Sequence, residues 1–114
     1  MSERRDSSGN LLSHLPDARA GEVFADILRR PGCRIERIVS HGQVTPPKAP
    51  YCQDHDEWVL VLSGRAIVEV AGRQNVLMPG DHLFIPRRAE HRVTHTDLNG
   101  PTVWLAVHIG EGTG

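Results

Sequence analysis

Apolar and polar residues alternate over short stretches along most of the chain, and turn-forming residues separate these stretches. Stretches rich in Val, Ile and Leu and bounded by Gly, Pro, Asn or Asp are typical of antiparallel strands. We predict about seven of them, over residues 33–40, 57–62, 66–70, 76–78, 82–85, 91–96 and 102–109. Short, regularly spaced strands favour an all-β sandwich or barrel.

The residues before the first predicted strand follow a different pattern. Four apolar residues are spaced i, i+1, i+4 and i+5, as on one face of a short helix: Val23, Phe24, Ile27 and Leu28. Pro31-Gly32 would end this helix. We therefore predict three regions, namely a disordered N-terminus at residues 1–10, a helical segment packed on the barrel at residues 11–32, and the barrel at residues 33–110.

Composition narrows the class of protein. A chain of 114 residues is one domain of common size, and its net charge of −1 gives no basic field for nucleic acid. We expect no membrane association, because no apolar run is long enough to span a bilayer. The charged N-terminus lacks the apolar core of a secretory signal, so we expect a cytoplasmic protein. Its two cysteines, Cys33 and Cys52, are then expected to be free thiols.

Glu57 opens a strand that is apolar on both faces. Because side chains alternate along a strand, Glu57 shares a face with Val59 and Val61. A carboxylate buried on such a face needs a metal, an arginine or a hydrogen-bond donor as its partner. The alternative is that Glu57 is solvated at the start of the strand.

His91 begins the strand predicted at residues 91–96. Alternation puts His91, Val93 and His95 on one face, so that two imidazoles would lie side by side. Two histidines and one carboxylate suit Fe(II), Mn(II), Ni(II) or Zn(II). The alternatives are that His91 hydrogen-bonds a loop carbonyl and that His95 is exposed near the next turn.

The spacing around His91 resembles the second motif of the cupin family, whose members are jelly-roll β-barrels. That motif has Gly, five residues, Pro, one residue, Gly, two residues, His, three residues and Asn. Gly80, Pro86 and His91 fit this spacing. Arg88 stands where the motif has its second Gly, and His95 stands in place of the Asn.

The first cupin motif is only partly present. It has His-x-His, three or four residues, Glu, six residues and Gly, and here Glu57 and Gly64 fit. The His-x-His pair is replaced by other residues, which are Tyr51 and Gln53 with the shorter spacing or Pro50 and Cys52 with the longer one. The resemblance covers residues 35–109 and is to short single-domain bacterial cupins.

The resemblance implies a small cupin that holds a divalent metal, Fe, Mn, Ni or Zn, and acts on or binds a small organic molecule. The candidate metal ligands are His91, Glu57, Gln53, His95 and His55. The candidate catalytic residues are Glu57, His91 and Tyr51, the last as a general acid. A metal-dependent dioxygenase or isomerase is the reaction class that we expect if the protein is an enzyme.

Two further functions remain open from the sequence. The missing His-x-His pair favours a metal-free cupin that binds a ligand or another protein without catalysis. A metal-independent sugar isomerase or epimerase, with His as base and Tyr as acid, is the other.

The sequence also suggests partners. An arginine cluster near His91 could pair with an anionic ligand group: Arg87, Arg88 and Arg92. The alternative, favoured for Arg87 and Arg88, is a solvated loop. We expect a homodimer anchored by Trp58 and Trp104 as outward-facing aromatics, with His108 on the same outer face as Trp104. The alternative is that this face of the last strand is inward, in which case His108 could complete a ligand set.

Overall fold

The computed structural model describes residues 8–110, which form two antiparallel β-sheets without a helix. The strands are β1 (Val23–Arg30), β2 (Cys33–Ser40), β3 (Asp56–Ser63), β4 (Ala66–Val70), β5 (Arg73–Leu77), β6 (His82–Ile85), β7 (His91–Thr96) and β8 (Thr102–Ile109). One sheet has the order β1-β2-β8-β3-β6 and the other the order β5-β4-β7. The all-β jelly roll is thus supported. Residues 1–7, part of the stretch predicted to be disordered, lie outside the described residues.

The described residues contain no helix with the length and hydropathy needed to cross a bilayer.

The inward faces of the two sheets form one core. Its buried members are Val59, Val61, Ala66, Val68, Leu77, Ile85, Trp104 and Ala106. Trp104 is only 4% exposed, and its indole Nε1 donates a hydrogen bond to Ser40 Oγ at 3.1 Å. The expectation that Trp104 faces outward is therefore wrong. Both faces of β8 are apolar in sequence, so the pattern alone does not say which face is inward.

The predicted helix at residues 11–32 is absent, and the end of that segment is strand β1. Pro31-Gly32 forms the turn of the β1–β2 hairpin and does not end a helix. A β-bulge at Ile27 explains the misleading pattern, because the pairing with β2 shifts between Asp26 and Leu28. The extra residue interrupts the two-residue alternation, and the apolar side chains then acquire a helix-like spacing.

The segment before β1 lies against the barrel without regular secondary structure. Arg37 Nη1 donates to the carbonyl oxygens of Leu11 at 3.2 Å and Ser13 at 3.4 Å. Gln43 Nε2 donates to the carbonyl oxygen of Ala18 at 2.7 Å, and Ala18 is buried. Side chains of the barrel therefore hold this segment by its backbone.

Gly64 fits a turn in which no other residue has room. It has a φ of +84°, and a Cβ atom there would lie 2.6 Å from Thr102 Oγ1 and 2.8 Å from the carbonyl oxygen of Pro101. Gly72 has a similar φ of +82° but nothing within 4 Å of its Cβ position. The close approach of two backbone segments thus explains why Gly64 ends the first motif.

We expect Gly64→Ala to lower the free energy of unfolding by about 3 kcal/mol or more, because it adds a clash with backbone atoms to the left-handed strain. Gly72→Ala is the matched control, since it introduces only the strain, about 1 kcal/mol. Chemical denaturation of both variants measures the difference. Equal losses for the two variants would contradict the close-packing argument.

Candidate functional site

A cavity of about 200 Å³ opens between the two sheets, and both sheets line it. Most of its lining is apolar, from valine, isoleucine and aromatic side chains. Four polar residues from the sequence motifs line it: Tyr51, Gln53, Glu57 and His91. Three more polar residues line it that the sequence analysis did not select: Glu22, Glu36 and His108.

The loop before β3 brings Tyr51 and Gln53 to the cavity by pairing with the start of β7. Tyr51 and His91 form an isolated β-bridge, with N–H to carbonyl oxygen distances of 2.8 and 2.9 Å in the two directions. The Arg88 N–H donates to the carbonyl oxygen of Gln53 at 2.6 Å. Tyr51 and His91 also stack, with ring centroids 5.5 Å apart. Backbone hydrogen bonds thus replace a regular strand in positioning these side chains.

Glu57 and His91 face each other in the cavity. Glu57 Oε1 accepts a hydrogen bond from Gln53 Nε2 at 2.8 Å and lies 3.9 Å from His91 Nε2. Both side chains are almost fully buried, at 10% and 7% exposed. Glu57 is therefore not solvated at the strand's start, and its nearest partner is an amide.

The tautomer of His91 follows from its loop contact. Its Nδ1 lies 3.1 Å from the carbonyl oxygen of Ala89. Because a carbonyl only accepts hydrogen bonds, Nδ1 carries the proton, and in a neutral imidazole Nε2 is then an acceptor. The loop-carbonyl contact considered as an alternative for His91 is present, and it leaves Nε2 facing Glu57.

His95 does not share a face with His91, so the prediction of two adjacent imidazoles is wrong. The pairing of β4 with β7 shifts so that Ile67 opposes His95 and Val68 opposes Val93, leaving Thr94 as a bulge. This extra residue resets the alternation of faces. His95 is instead 37% exposed and lies 3.7 Å from Asp97 Oδ1.

His55 also lies apart from Glu57 and His91. Its Nε2 is 2.9 Å from His108 Nδ1, and His108 Nε2 is 2.8 Å from Glu36 Oε1. The Arg34 guanidinium in turn donates to Glu36 Oε2 at 2.8 Å. His55 therefore ends a chain of four polar side chains and does not complete a shell around Glu57.

Most of this chain was not predicted from the sequence. His108 was expected outside the barrel, but it faces inward and is 4% exposed, as in the alternative considered for the last strand. The error arose because the face of β8 that carries Trp104 and His108 was expected to point outward, whereas it points inward. The register would have revealed it, because Glu57 and His108 are direct partners across β3 and β8. Directly opposed residues share a face, so an inward Glu57 requires an inward His108.

The arginines near His91 do not line the cavity. Arg92 Nε donates to Glu69 Oε1 at 2.9 Å. The other two pair with acidic residues at the start of β3 and in the loop before it, Arg87 with Asp56 at 3.7 Å and Arg88 with Asp54 at 3.1 Å. Among the described residues, those that line the cavity include three glutamates and neither Arg nor Lys. The predicted basic surroundings for an anionic ligand are thus not formed.

The donors do not fit the metal site that the resemblance implies. Within residues 8–110, no three His, Cys, Asp or Glu side chains converge as a metal-binding group. Glu57 and His91 supply two strong ligands, and Gln53 adds only an amide. A two-histidine, one-carboxylate set would need a further imidazole there, and His55 and His95 lie elsewhere.

Tyr51 has an altered acidity at the cavity. Partial burial raises the pKa of its phenol above the ordinary value of 10.0, and the negative charges of Glu22 and Glu57 raise this pKa further. The hydroxyl is therefore held in its protonated, hydrogen-donating form.

Comparison with known proteins identifies relatives of the chain. The sequence model of the Cupin domain family matches residues 37–108, which confirms the resemblance drawn from the two motifs. A proposed mannose-6-phosphate isomerase from Ralstonia eutropha JMP134 is 46% identical in sequence to this chain, and its crystal structure matches this fold with a TM-score of 0.86. The match covers 90% of this chain and 96% of that one.

More distant structures share the fold alone. The protein TT1209 from Thermus thermophilus is 18% identical with a TM-score of 0.78, over 91% of this chain and 97% of that one. KdgF from Halomonas sp. is 20% identical with a TM-score of 0.71, over 84% of each chain. No curated protein matches the chain.

We expect Tyr51 to ionise at a pH clearly above 10.0, which an ultraviolet titration reports directly because the chain has one tyrosine. Glu22→Gln should lower this pKa toward 10.0, since it removes a nearby negative charge. Glu69→Gln is the control and should leave it unchanged, because Glu69 pairs with Arg92 outside the cavity. A titration at the ordinary value in the folded wild type would contradict this environment.

The raised pKa of Tyr51 also determines how the stability of the fold depends on pH. A raised pKa means that the folded state retains its proton longer than the unfolded state. The resulting stabilisation is fully present below pH 10 and is lost as the pH rises through the folded-state pKa.

Proposed function

Because the chain belongs to the cupin family, we propose that its cavity binds a small organic molecule and transfers a proton on it without a metal, in an isomerase- or epimerase-type reaction. The observation that carries this proposal is that Glu57, His91 and Tyr51 line one cavity in which the described donors do not form a metal site. This proposal corresponds to the metal-independent isomerase or epimerase that remained open from the sequence.

His91 is the proposed base. Its Nδ1–H is fixed by the Ala89 carbonyl, so the free electron pair of Nε2 is available to take a proton from a substrate carbon next to a carbonyl. Glu57, with its carboxylate 3.9 Å away, stabilises the imidazolium that forms.

Tyr51 is the proposed acid. Its phenol is protonated at neutral pH, as an ordinary tyrosine is, and its raised pKa does not change this; the ring stacks on His91 at the same cavity. As the C–H bond breaks and its proton moves to Nε2, the phenol gives its proton to the carbonyl oxygen, which produces an enediol. The imidazolium then gives its proton to the former carbonyl carbon, and the hydroxyl on the adjacent carbon gives a proton to the phenolate, so that the carbonyl has moved by one carbon and atoms and charges balance.

The relative from Ralstonia eutropha supports the reaction class. Its name describes an enzyme that isomerises a sugar phosphate. Its sequence is 46% identical to this chain over nearly the whole length of both. An aldose–ketose isomerisation is a proton transfer next to a carbonyl, which is the chemistry that a base and an acid in one cavity perform.

The proposal is tested by hydrogen–deuterium exchange at substrate carbon, followed by NMR in D₂O for aldoses, ketoses, 2-amino sugars and mannose 6-phosphate. We expect exchange that survives EDTA and falls by about 100-fold or more in His91→Gln. His95→Gln is the matched control and should retain activity, because His95 lies on the same strand outside the cavity. Exchange that EDTA abolishes and one divalent ion restores would contradict the metal-independent mechanism.

We further propose that a second copy of the chain covers the outer face of the five-stranded sheet. Five apolar side chains lie in one row across that face, in strand order Leu28, Ile35, Val107, Trp58 and Phe84. Phe84 is 52% exposed and Leu28 is 39% exposed in the single chain. An uncharged apolar row is complementary to itself under a two-fold axis, which favours a homodimer.

We expect sedimentation to give twice the chain mass of 12.6 kDa, and Phe84→Glu to give the single-chain mass, because a charge would be buried in the contact. Val76→Glu is the control, since Val76 is equally exposed, at 51%, on the other sheet. A wild-type protein that remains a monomer at high concentration would contradict the dimer.

A cytoplasmic location is part of the proposal. Cys33 and Cys52 are both free thiols in the described structure, and free thiols persist in reducing compartments.

A further inference from the structure

The cavity holds two hydrogen-bond acceptors that face each other without a donor between them. His91 Nε2 and Glu57 Oε1 are 3.9 Å apart, which is too far for a direct hydrogen bond. With the proton of neutral His91 on Nδ1, neither atom has a hydrogen to offer the other. The His91 side chain is 7% exposed and directs Nε2 into the cavity, so its partner comes from whatever fills the cavity, water or a ligand.

A group with several N–H donors fits this pair. An ammonium carries three donors and a positive charge, so it can donate to the imidazole and to the carboxylate at once. Gln53 already donates to Glu57 Oε1 through its amide, which fixes the carboxylate in place but leaves its charge uncompensated.

The charges of the cavity favour the same kind of ligand. Of its three glutamates, Glu36 is paired with Arg34 at 2.8 Å. Glu22 accepts from the neutral Ser40 hydroxyl at 2.5 Å, and Glu57 accepts from the neutral Gln53 amide. Glu22 and Glu57 thus line the cavity, and neither is paired with an Arg or Lys within residues 8–110.

Aromatic rings complete a site for an organic cation. Phe24, Tyr51 and Trp104 line the cavity together with the two carboxylates. The face of an aromatic ring attracts a cation, and the attraction is weaker where water reaches the ring, as at the half-exposed Phe24 and Tyr51, than at the buried Trp104. The apolar remainder of the lining suits the hydrocarbon part of an amine.

We infer that the cavity selects a small organic ammonium compound over an anionic molecule such as a sugar phosphate. A phosphate would face Glu22 and Glu57 with no Arg or Lys among the described lining residues to receive it. The inference rests on the cavity of the proposed function but concerns binding: an ammonium that donates to Nε2 occupies the electron pair of the proposed base, so a bound amine would block the proton transfer.

Binding is measured by calorimetry on EDTA-treated full-length protein with benzylamine, its uncharged analogue benzyl alcohol, and mannose 6-phosphate. We expect benzylamine to bind at least about ten-fold more tightly than benzyl alcohol, with affinity that falls as salt is added, and mannose 6-phosphate not to bind. Mannose 6-phosphate binding as tightly as benzylamine, or equal affinities for the amine and the alcohol, would overturn the inference.

Charge-removing variants test the site itself. Glu57→Gln and Glu22→Gln should each lower benzylamine affinity by about ten-fold while leaving benzyl alcohol affinity unchanged. Glu69→Gln, which removes a carboxylate outside the cavity, should change neither. Unchanged preference for the amine in both cavity variants would refute the assignment. Circular dichroism confirms that each variant is folded.

The outcomes separate this inference from the proposed function. Amine selectivity without any carbon exchange would contradict the enzyme and support the binding preference. Exchange on a sugar phosphate, with no affinity for amines, would support the enzyme and contradict the preference.

Discussion

The structure depends on how an apolar barrel satisfies the polar side chains that point into it. Burying a carboxylate or an imidazole without a partner costs several kcal/mol, on the order of 2–7 kcal/mol for an uncharged polar group and more for a charge. Glu36 meets this demand with Arg34 and His108, so it is satisfied by the chain itself. Glu57 and His91 are satisfied only in part, by an amide and a carbonyl, and their remaining capacity faces the cavity.

Backbone irregularities decide which side chains share that cavity. The bulge at Thr94 keeps His91 and Val93 at the cavity while His95 turns toward Asp97 and solvent. Arg88 has a φ of 66°, the left-handed conformation that glycine favours, at the position where the second cupin motif has Gly. The turn geometry of the motif is thus retained with a different residue, and the Arg88 N–H helps to position Gln53.

The loss of the His-x-His pair changes the chemistry that the barrel supports. A phenol and an amide stand at those positions, and Tyr51 stacks on the retained histidine while Gln53 binds the retained glutamate. Residues at positions that would share a metal elsewhere in the family here form hydrogen bonds and, in the proposed mechanism, an acid–base pair. The proposed preference of the cavity for cations rests on its acidic and aromatic lining, which the fold alone does not dictate.

The sequence by itself determined the strands β2–β4 and β6–β8, the cupin barrel and the positions of Glu57, Gly64 and His91, because alternation and motif spacing are local properties. Strand β5 was predicted at residues 76–78, whereas the structure has it at Arg73–Leu77. Strand β1 was not predicted from the sequence, because the bulge at Ile27 interrupts the alternation of apolar and polar residues. Only the tertiary structure decided which face of β8 is inward, and that His55 meets His108 across 53 positions of chain. Such contacts depend on strand register, and two apolar faces carry no local signal that distinguishes one register from another.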